Sequence, residues 1–168
     1  MSSRRAAALG SALFLLAAPG LVAGLVPWLL GTWEFETPVP GWIALRVAGA
    51  ALITAAAPAL FHSFARFVIE GVGTPAPVAP TRTLVVGGLY RHVRNPMYVA
   101  VAALIVGEAL LFGQLALFAY AAGFLVVVAA FVRFYEEPTL RRRFGSSYDA
   151  YRRAVPGWLP RLRPWRGE

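Results

Sequence analysis

Apolar residues run along this chain in blocks of membrane length, and the polar residues fall between the blocks or near their ends. The first block extends from about Ala6 to Trp33, interrupted only by small residues and by Pro19 and Pro27. Arg4 and Arg5 would suit the basic start of a signal peptide, but the apolar run that follows is longer than a signal's and can cross a hydrocarbon core of roughly 30 Å. It is read as a retained first transmembrane helix. A second block runs from about Trp42 to Ile69, with Arg46 near its start, Pro58 inside it, and His62 and Arg66 near its end. The third starts at Pro96 and continues to about Phe112, and the fourth runs from about Leu115 to Tyr135. Only Gly113 and Gln114 separate these two, so they must form an antiparallel hairpin.

The links between blocks have their own signatures. Gly31 to Gly41 carries Glu34 and Glu36 but no Arg, with Trp28, Trp33 and Trp42 near its edges, as expected of an outer interface with an aromatic belt. The stretch GVGTPAPVAPTRTLVVGG, Gly71 to Gly88, has too many glycines and prolines for a continuous helix. A short strand is expected at Thr81 to Val86, and the length of the connector leaves a disordered linker and a functional lid both open. After Pro138, Leu140, Phe144, Tyr148, Tyr151 and Val155 form an apolar stripe at helical spacing, with arginines mostly on the other faces. This predicts an amphipathic helix at the membrane surface, broken at Gly145 and restarted by Ser146 with Asp149 as a capping box. Pro156, Trp158 and Pro160 end it, and the last eight residues read as a basic tail. The expected architecture is an all-α integral membrane protein of about four transmembrane helices, with a cytoplasmic connector and a C-terminal amphipathic interfacial helix.

Composition agrees and narrows the chemistry. Hydrophobic residues make up 58% of the 168 and charged residues 14%, an apolar excess that belongs in a bilayer. The net charge of +8 raises the question of nucleic acid, but the basic residues flank apolar blocks, where membrane topology explains them, and no nucleic-acid partner is expected. All sixteen basic residues are Arg, which excludes a catalytic Lys or Schiff base. The absence of Cys excludes disulfides, cysteine nucleophiles and thiolate metal sites. His62 and His92 lie far apart, without metal-ligand spacing, and no metal is expected. Four crossings put both termini on one side together with Arg82, Arg91, Arg94 and the C-terminal arginines, opposite the acidic first loop. By the positive-inside rule both termini are cytoplasmic, in the inner (cytoplasmic) membrane. Glu108, inside the third helix, and Arg46, at similar depth in the second, are expected to form an ion pair.

Two polar clusters stand out. In Tyr90 to Tyr98, YRHVRNPMY, Asn95 and Pro96 read as the N-cap and first residue of a helix. Its free amides and positive dipole end, beside Arg91, His92 and Arg94, suit an anionic group; a loop that merely fixes membrane orientation is the alternative. The second cluster is Glu136 and Glu137 before Pro138, where carboxylates at a helix C-terminus oppose the dipole and need another partner, either an arginine or a ligand's ammonium. The hairpin returns both clusters to one membrane face. Together they make a receptor for a zwitterion such as an amino-acid moiety, its carboxylate on Arg94, His92 and the amides, its ammonium on Glu136 or Glu137.

The ordered set GTPAP, GLYRHVRNPMY, EEPTL, FGSSYDAY and VPGWLP, between about Gly71 and Pro160, resembles the isoprenylcysteine carboxyl methyltransferase family, which is similar to the membrane phospholipid methyltransferases. The family pattern falls on Arg94, Asn95, Pro96, Tyr98, Glu136 and Glu137. The resemblance implies an S-adenosylmethionine-dependent integral membrane methyltransferase acting on a lipophilic or membrane-embedded acceptor. It implies Arg94, Tyr98 and Glu137 as catalytic residues, and Tyr90, Arg91, His92, Arg94, Asn95, Pro96, Tyr98, Glu136 and Glu137 as cofactor-binding ones. His62, Arg66, Tyr90 and Tyr98 would line the acceptor side. It divides the chain into an N-terminal transmembrane hairpin, residues 1–69, and a methyltransferase-like region, residues 70–168, within one structural unit. Asn95 stands where the family often has His, and four spans are fewer than the eukaryotic enzymes carry. A membrane reductase using a nicotinamide cofactor and a non-enzymatic membrane scaffold are the competing readings.

Overall fold

The computed structural model describes residues 2–71 and 83–167, and among these it contains helices and turns but no strand. Helix α1, residues 2–31, joins Ser2–Gly20 to Val26–Gly31 through a π-helical turn at Leu21–Leu25. Helix α2, residues 43–71, continues Ile43–Arg66 into a second π turn, Phe67–Gly71. A 3₁₀ turn at Gly88–Arg91 leads to α3, Pro96–Phe112, and α4 covers residues 116–144. Helix α5, Ser146–Ala154, is followed by an irregular C-terminal segment.

Stretches of α1, α2 and α4 are each long and apolar enough to cross a membrane, namely Ala12–Gly31, Ile43–Glu70 and Ala116–Phe144. The seventeen residues of α3 span about 26 Å, at the short end of the range for a crossing helix. Large apolar side chains such as Leu13, Leu16, Phe61, Val126 and Val127 are exposed, as they must be where lipid rather than water surrounds the helices. The protein is an integral membrane protein, with four apolar helices among the described residues.

The helices meet around Leu60, Phe64, Ala100, Val101, Ile105, Ala109, Leu117 and Ala121. Lipid supplies no hydrophobic drive between helices, so close backbone approach matters more than in water. Antiparallel α2 and α3 achieve it at two glycines. A Cβ on Gly49 would lie 2.6 Å from both the Gly107 carbonyl oxygen and the Leu111 nitrogen, and one on Gly107 would lie 2.6 Å from Ile53 Cγ1.

Helix α4 departs from expectation. It does not end before Glu136 but passes through a π turn, Val132–Glu136, into the α-helical Glu137–Phe144. The Glu137 amide bonds the Val132 carbonyl, five residues back, and this wider turn lets the helix continue across Pro138, which has no N–H to donate. Gly145 then breaks the helix (φ 53°, ψ −128°) and is itself the N-cap of α5; no side chain caps α5, so the Ser146 capping box does not form. Residues 84–86 are irregular rather than a strand; Thr81, Arg82 and the rest of the connector from residue 72 lie outside the described residues.

The apolar stripe of the C-terminal helices is only partly a membrane anchor. Tyr148, Tyr151 and Val155 are buried in a second, smaller core with Leu84, Val86, Leu140, Phe144 and Trp165. The end of the bundle that carries this core is called the cap end below, and the opposite one the loop end. At the loop end, residues 31–42 fold over the α3–α4 turn. The Glu36 amide donates to Phe112 O (2.7 Å), Gln114 Nε2 donates to the carbonyls of Gly31 and Glu34, and Trp42 Nε1 donates to Leu110 O (2.8 Å). Trp42 is therefore buried in the protein, whereas Trp28 and Trp33 remain exposed as a belt would require. The expected Arg46–Glu108 pair is not formed. From the first turn of α2 the Arg46 guanidinium reaches outward to Glu36 O (2.8 Å) and Thr37 Oγ1 (3.1 Å) over the Phe35 ring, and Glu108 Oε2 is buried without a partner.

Gly49→Ala must push backbone apart and is expected to cost about 1–3 kcal/mol. Gly123→Ala, where the added Cβ meets nothing within 4 Å, should be neutral or slightly stabilising. Thermal unfolding in detergent checks both; equal melting temperatures would remove the proposed close contact from the stability of the bundle.

Candidate active site at the cap end

The residues just before α3 are stripped of regular hydrogen bonds by Pro96 and by the turn at Gly87 and Gly88, and the C-terminal segment satisfies them. The amides of Arg94 and Asn95 donate to Pro156 O (2.9 Å) and Gly157 O (3.2 Å), and those of Arg161 and Trp165 donate to His92 O (3.0 Å) and Arg91 O (2.9 Å). The expected basic tail is thus a strap laid along residues 91–95. Arg91 Nε donates to Trp165 O (2.5 Å), and His92 Nδ1 lies 2.8 Å from Arg161 O. A carbonyl only accepts, so the Nδ1 position carries the proton. Asn95 is the N-cap residue by position, but its side chain makes no cap bond; Nδ2 donates to Gly157 O instead (3.1 Å).

Arg94 turns the other way. Its Nη1 donates to Glu137 Oε1 (2.5 Å) and to Tyr148 Oη (3.2 Å), while Nε donates to Val155 O (3.0 Å). Side-chain exposure is only 14% for Arg94 and 12% for Glu137, so this ion pair is largely desolvated. The second Glu137 oxygen faces Arg152 Nε at 3.3 Å. One helical step away, Tyr98 Oη donates to Glu136 Oε2 (3.1 Å), and Trp158 of the strap lies over Tyr98 with ring centroids 6.4 Å apart. The continuous helix across the π turn is what sends Glu136 and Glu137 to two adjacent partners on α3 and its approach.

Tyr90 is buried, edge-on to Phe67, and its carbonyl accepts the Tyr151 hydroxyl (2.7 Å). Burial pushes the Tyr90 phenol well above the ordinary tyrosine range, with neighbouring Tyr151 adding to the effect. Burial does the same to Tyr148 and Tyr151, reinforced for Tyr148 by Glu137 and opposed for Tyr151 by Arg94. His62 and Arg66 are set against the turn at Gly88 (φ +57°), where a Cβ would come within 2.3 Å of His62 Nε2. Arg66 pairs with Glu70 (2.8 Å), whose other oxygen accepts the Gly87 amide (2.8 Å).

Of the residues singled out from the sequence, Arg94, Tyr98, Glu136 and Glu137 converge by direct contact. Arg91, His92 and Asn95 face the strap, Pro96 opens α3, Tyr90 anchors the cap, and His62 and Arg66 brace the Gly88 turn. Sequence reasoning missed Tyr148, Arg152, Trp158 and the Val155 carbonyl. The available signal was the pair of tyrosines in an apolar stripe, since a buried tyrosine hydroxyl needs a partner. Among the described residues no group of three His, Asp or Glu side chains is arranged to hold a metal ion.

At the cap end, then, a largely desolvated arginine is paired with one of two adjacent glutamates of the last long apolar helix. Residues 44–147 match the family model described as phospholipid methyltransferase, and the match spans more than half of the chain. The chain belongs to this family, within the isoprenylcysteine carboxyl methyltransferase-like membrane methyltransferases. No curated protein and no solved structure matches it. It is a membrane methyltransferase.

The buried tyrosines give the cap a pH dependence of definite sign. Below about pH 10 the phenols are neutral whether the chain is folded or not, and their contribution is fully present. Above that value the unfolded chain loses protons that the folded one keeps, so stability falls as pH rises. Melting temperature should decline between pH 9 and pH 11, and less steeply in Tyr151→Phe than in the parent. Equal slopes would show that Tyr151 is not protected by the fold.

Proposed function

We propose that the protein transfers a methyl group from S-adenosylmethionine to a lipophilic acceptor that enters from the bilayer. The Arg94–Glu137 contact carries this reading. It holds one positive and one negative group, paired with each other, in a largely desolvated place, and a zwitterionic amino-acid moiety can exchange that one pair for two. The donor set fits such a moiety: the Arg94 guanidinium and the first α3 amides, which have no intrahelical acceptor, suit the carboxylate. Glu137 or Glu136 suits the ammonium, and Tyr98 holds the Glu136 carboxylate in place. Bound there, the cofactor would supply a methyl group on a positively charged sulfur.

The chain's own part is positioning and exclusion of water, because an in-line displacement needs no covalent nucleophile from the protein. Tyr98 and Trp158 form the aromatic wall of the site, and the strap covers the approach to α3. A carboxylate acceptor would need no base, whereas an amine or hydroxyl would have to lose a proton. Arg91, His92, Asn95 and Tyr90 act in this reading through the strap and the turn, by holding Arg94 and Pro96 in register. The charge distribution supports an inner-membrane location with the cap end and both termini in the cytoplasm. Arg66, Arg91, Arg94 and the arginines from 133 onward lie toward the cap end, against Arg46 with Glu34 and Glu36 at the loop end.

Titration of the purified protein with S-adenosylmethionine tests the assignment. Glu137→Gln should weaken binding by about 10–100-fold, the worth of one hydrogen bond to a charged group, while melting temperature in the same detergent reports whether the fold survives. If Glu136→Gln and Glu137→Gln both bind as tightly as the parent, the ammonium contact is wrong.

A further inference from the structure

The last turns of α4 and helix α5, bent apart at Gly145, line an open cleft of about 420 Å³ bordered by Arg94, Arg141, Asp149, Arg152 and Arg153. Its charge is unbalanced. Glu137 is shared between Arg94 (2.5 Å) and Arg152 (3.3 Å), and Asp149 is held by Arg141 (2.8 Å). None of the salt bridges among the described residues involves Arg153. Four guanidiniums against two carboxylates leave two positive charges around one concave space. Exposed arginines on a convex surface would be neutralised by water and salt, but here one wall is Arg94, which is nearly buried.

We propose that this cavity is a binding site for a phosphate group. A phosphomonoester carries about −1.5 to −2 charges at neutral pH and three acceptor oxygens, which matches the excess charge and the planar donors around it. The group can belong to a lipid headgroup or to free phosphate. Leu159 and Leu162, in the strap that Arg161 Nη1 ties to Ala154 O (2.6 Å), are 80% and 97% exposed, as side chains dipping into a headgroup layer would be. The cavity shares Arg94 with the Arg94–Glu137 pair, but Arg141, Arg152 and Arg153 are not among the residues proposed to hold the methyl donor. Its occupant would compete with Glu137 for Arg94 and Arg152, which couples the anion to the carboxylate next door.

The test uses the full chain in phosphatidylcholine nanodiscs without cofactor. Inorganic phosphate is titrated in one arm, and the discs are prepared with and without phosphatidic acid in the other, with melting temperature as readout. Binding of either probe should weaken by about tenfold or more in Arg152→Gln/Arg153→Gln, which removes two charged donors. Arg153→Gln alone breaks no salt bridge of the fold and should weaken it in the same direction. Arg142→Gln/Arg163→Gln removes the same charge outside the cavity and should leave binding nearly unchanged. Stabilisation by phosphatidic acid but not phosphate identifies a lipid headgroup as the source, and stabilisation by phosphate identifies a soluble one. Equal weakening in both double variants, or no response of the parent to either probe, overturns the proposal.

Discussion

The guanidinium of Arg94 is the tie on which the cap end depends. From the residue two before α3 it reaches Glu137 on α4, the Tyr148 hydroxyl on α5 and the Val155 carbonyl where the strap begins. Three segments distant in sequence are thereby fixed to one planar group whose donors are rigidly spaced. Removing one partner of a buried pair costs about 3–5 kcal/mol, since the other charge is left without water or counter-charge. The same tie is polar and opposite in sign at its two ends, so in the proposed function a structural lock and a receptor for a zwitterion are one set of atoms.

The helix that presents Glu137 has to be long, and its continuity is a matter of backbone accounting. Pro138 would end an ordinary helix, but the π turn over Val132–Glu136 moves the hydrogen bonding by one residue, and the helix carries on to Phe144. A related device sits in α1, where the Val26 amide bonds the Leu21 carbonyl just ahead of Pro27. A wide turn also leaves a carbonyl free to accept from elsewhere, and in α1 the Tyr120 hydroxyl donates to Val22 O (2.9 Å). At Pro27 and Pro138 the wide turn thus rotates the face that follows instead of ending the span.

The two ends of the bundle use different chemistry for different ends. At the loop end, backbone carbonyls of residues 31–36 and of α3 are matched by Gln114, Trp42 and Arg46, an arrangement that closes the turn and spends its polar atoms locally. At the cap end, arginines outnumber carboxylates, and the surplus faces a cavity and the membrane surface. The bilayer between them contributes little order of its own, and the Gly49–Gly107 contact substitutes for the drive that water would have supplied.

Much of this molecule was legible in the order of its residues. Hydropathy blocks place four helices, the two-residue link at Gly113 and Gln114 makes the last two antiparallel, and the Asn95–Pro96 step starts α3 where it does. Because those properties are local, they also bring Glu136 and Glu137 to the face that carries Arg94. The sequence could not decide which long side chain meets which. Arg46 turns to the Glu36 carbonyl and Thr37, so no pair forms with Glu108; the Asn95 side-chain amide serves Gly157 rather than its own helix; and the supposed basic tail becomes a strap. Partners such as the Tyr148 hydroxyl and Val155 O lie more than forty residues from Arg94 along the chain, and only the packing of α5 and Val155 against Leu84 and Val86 sets their distance and angle.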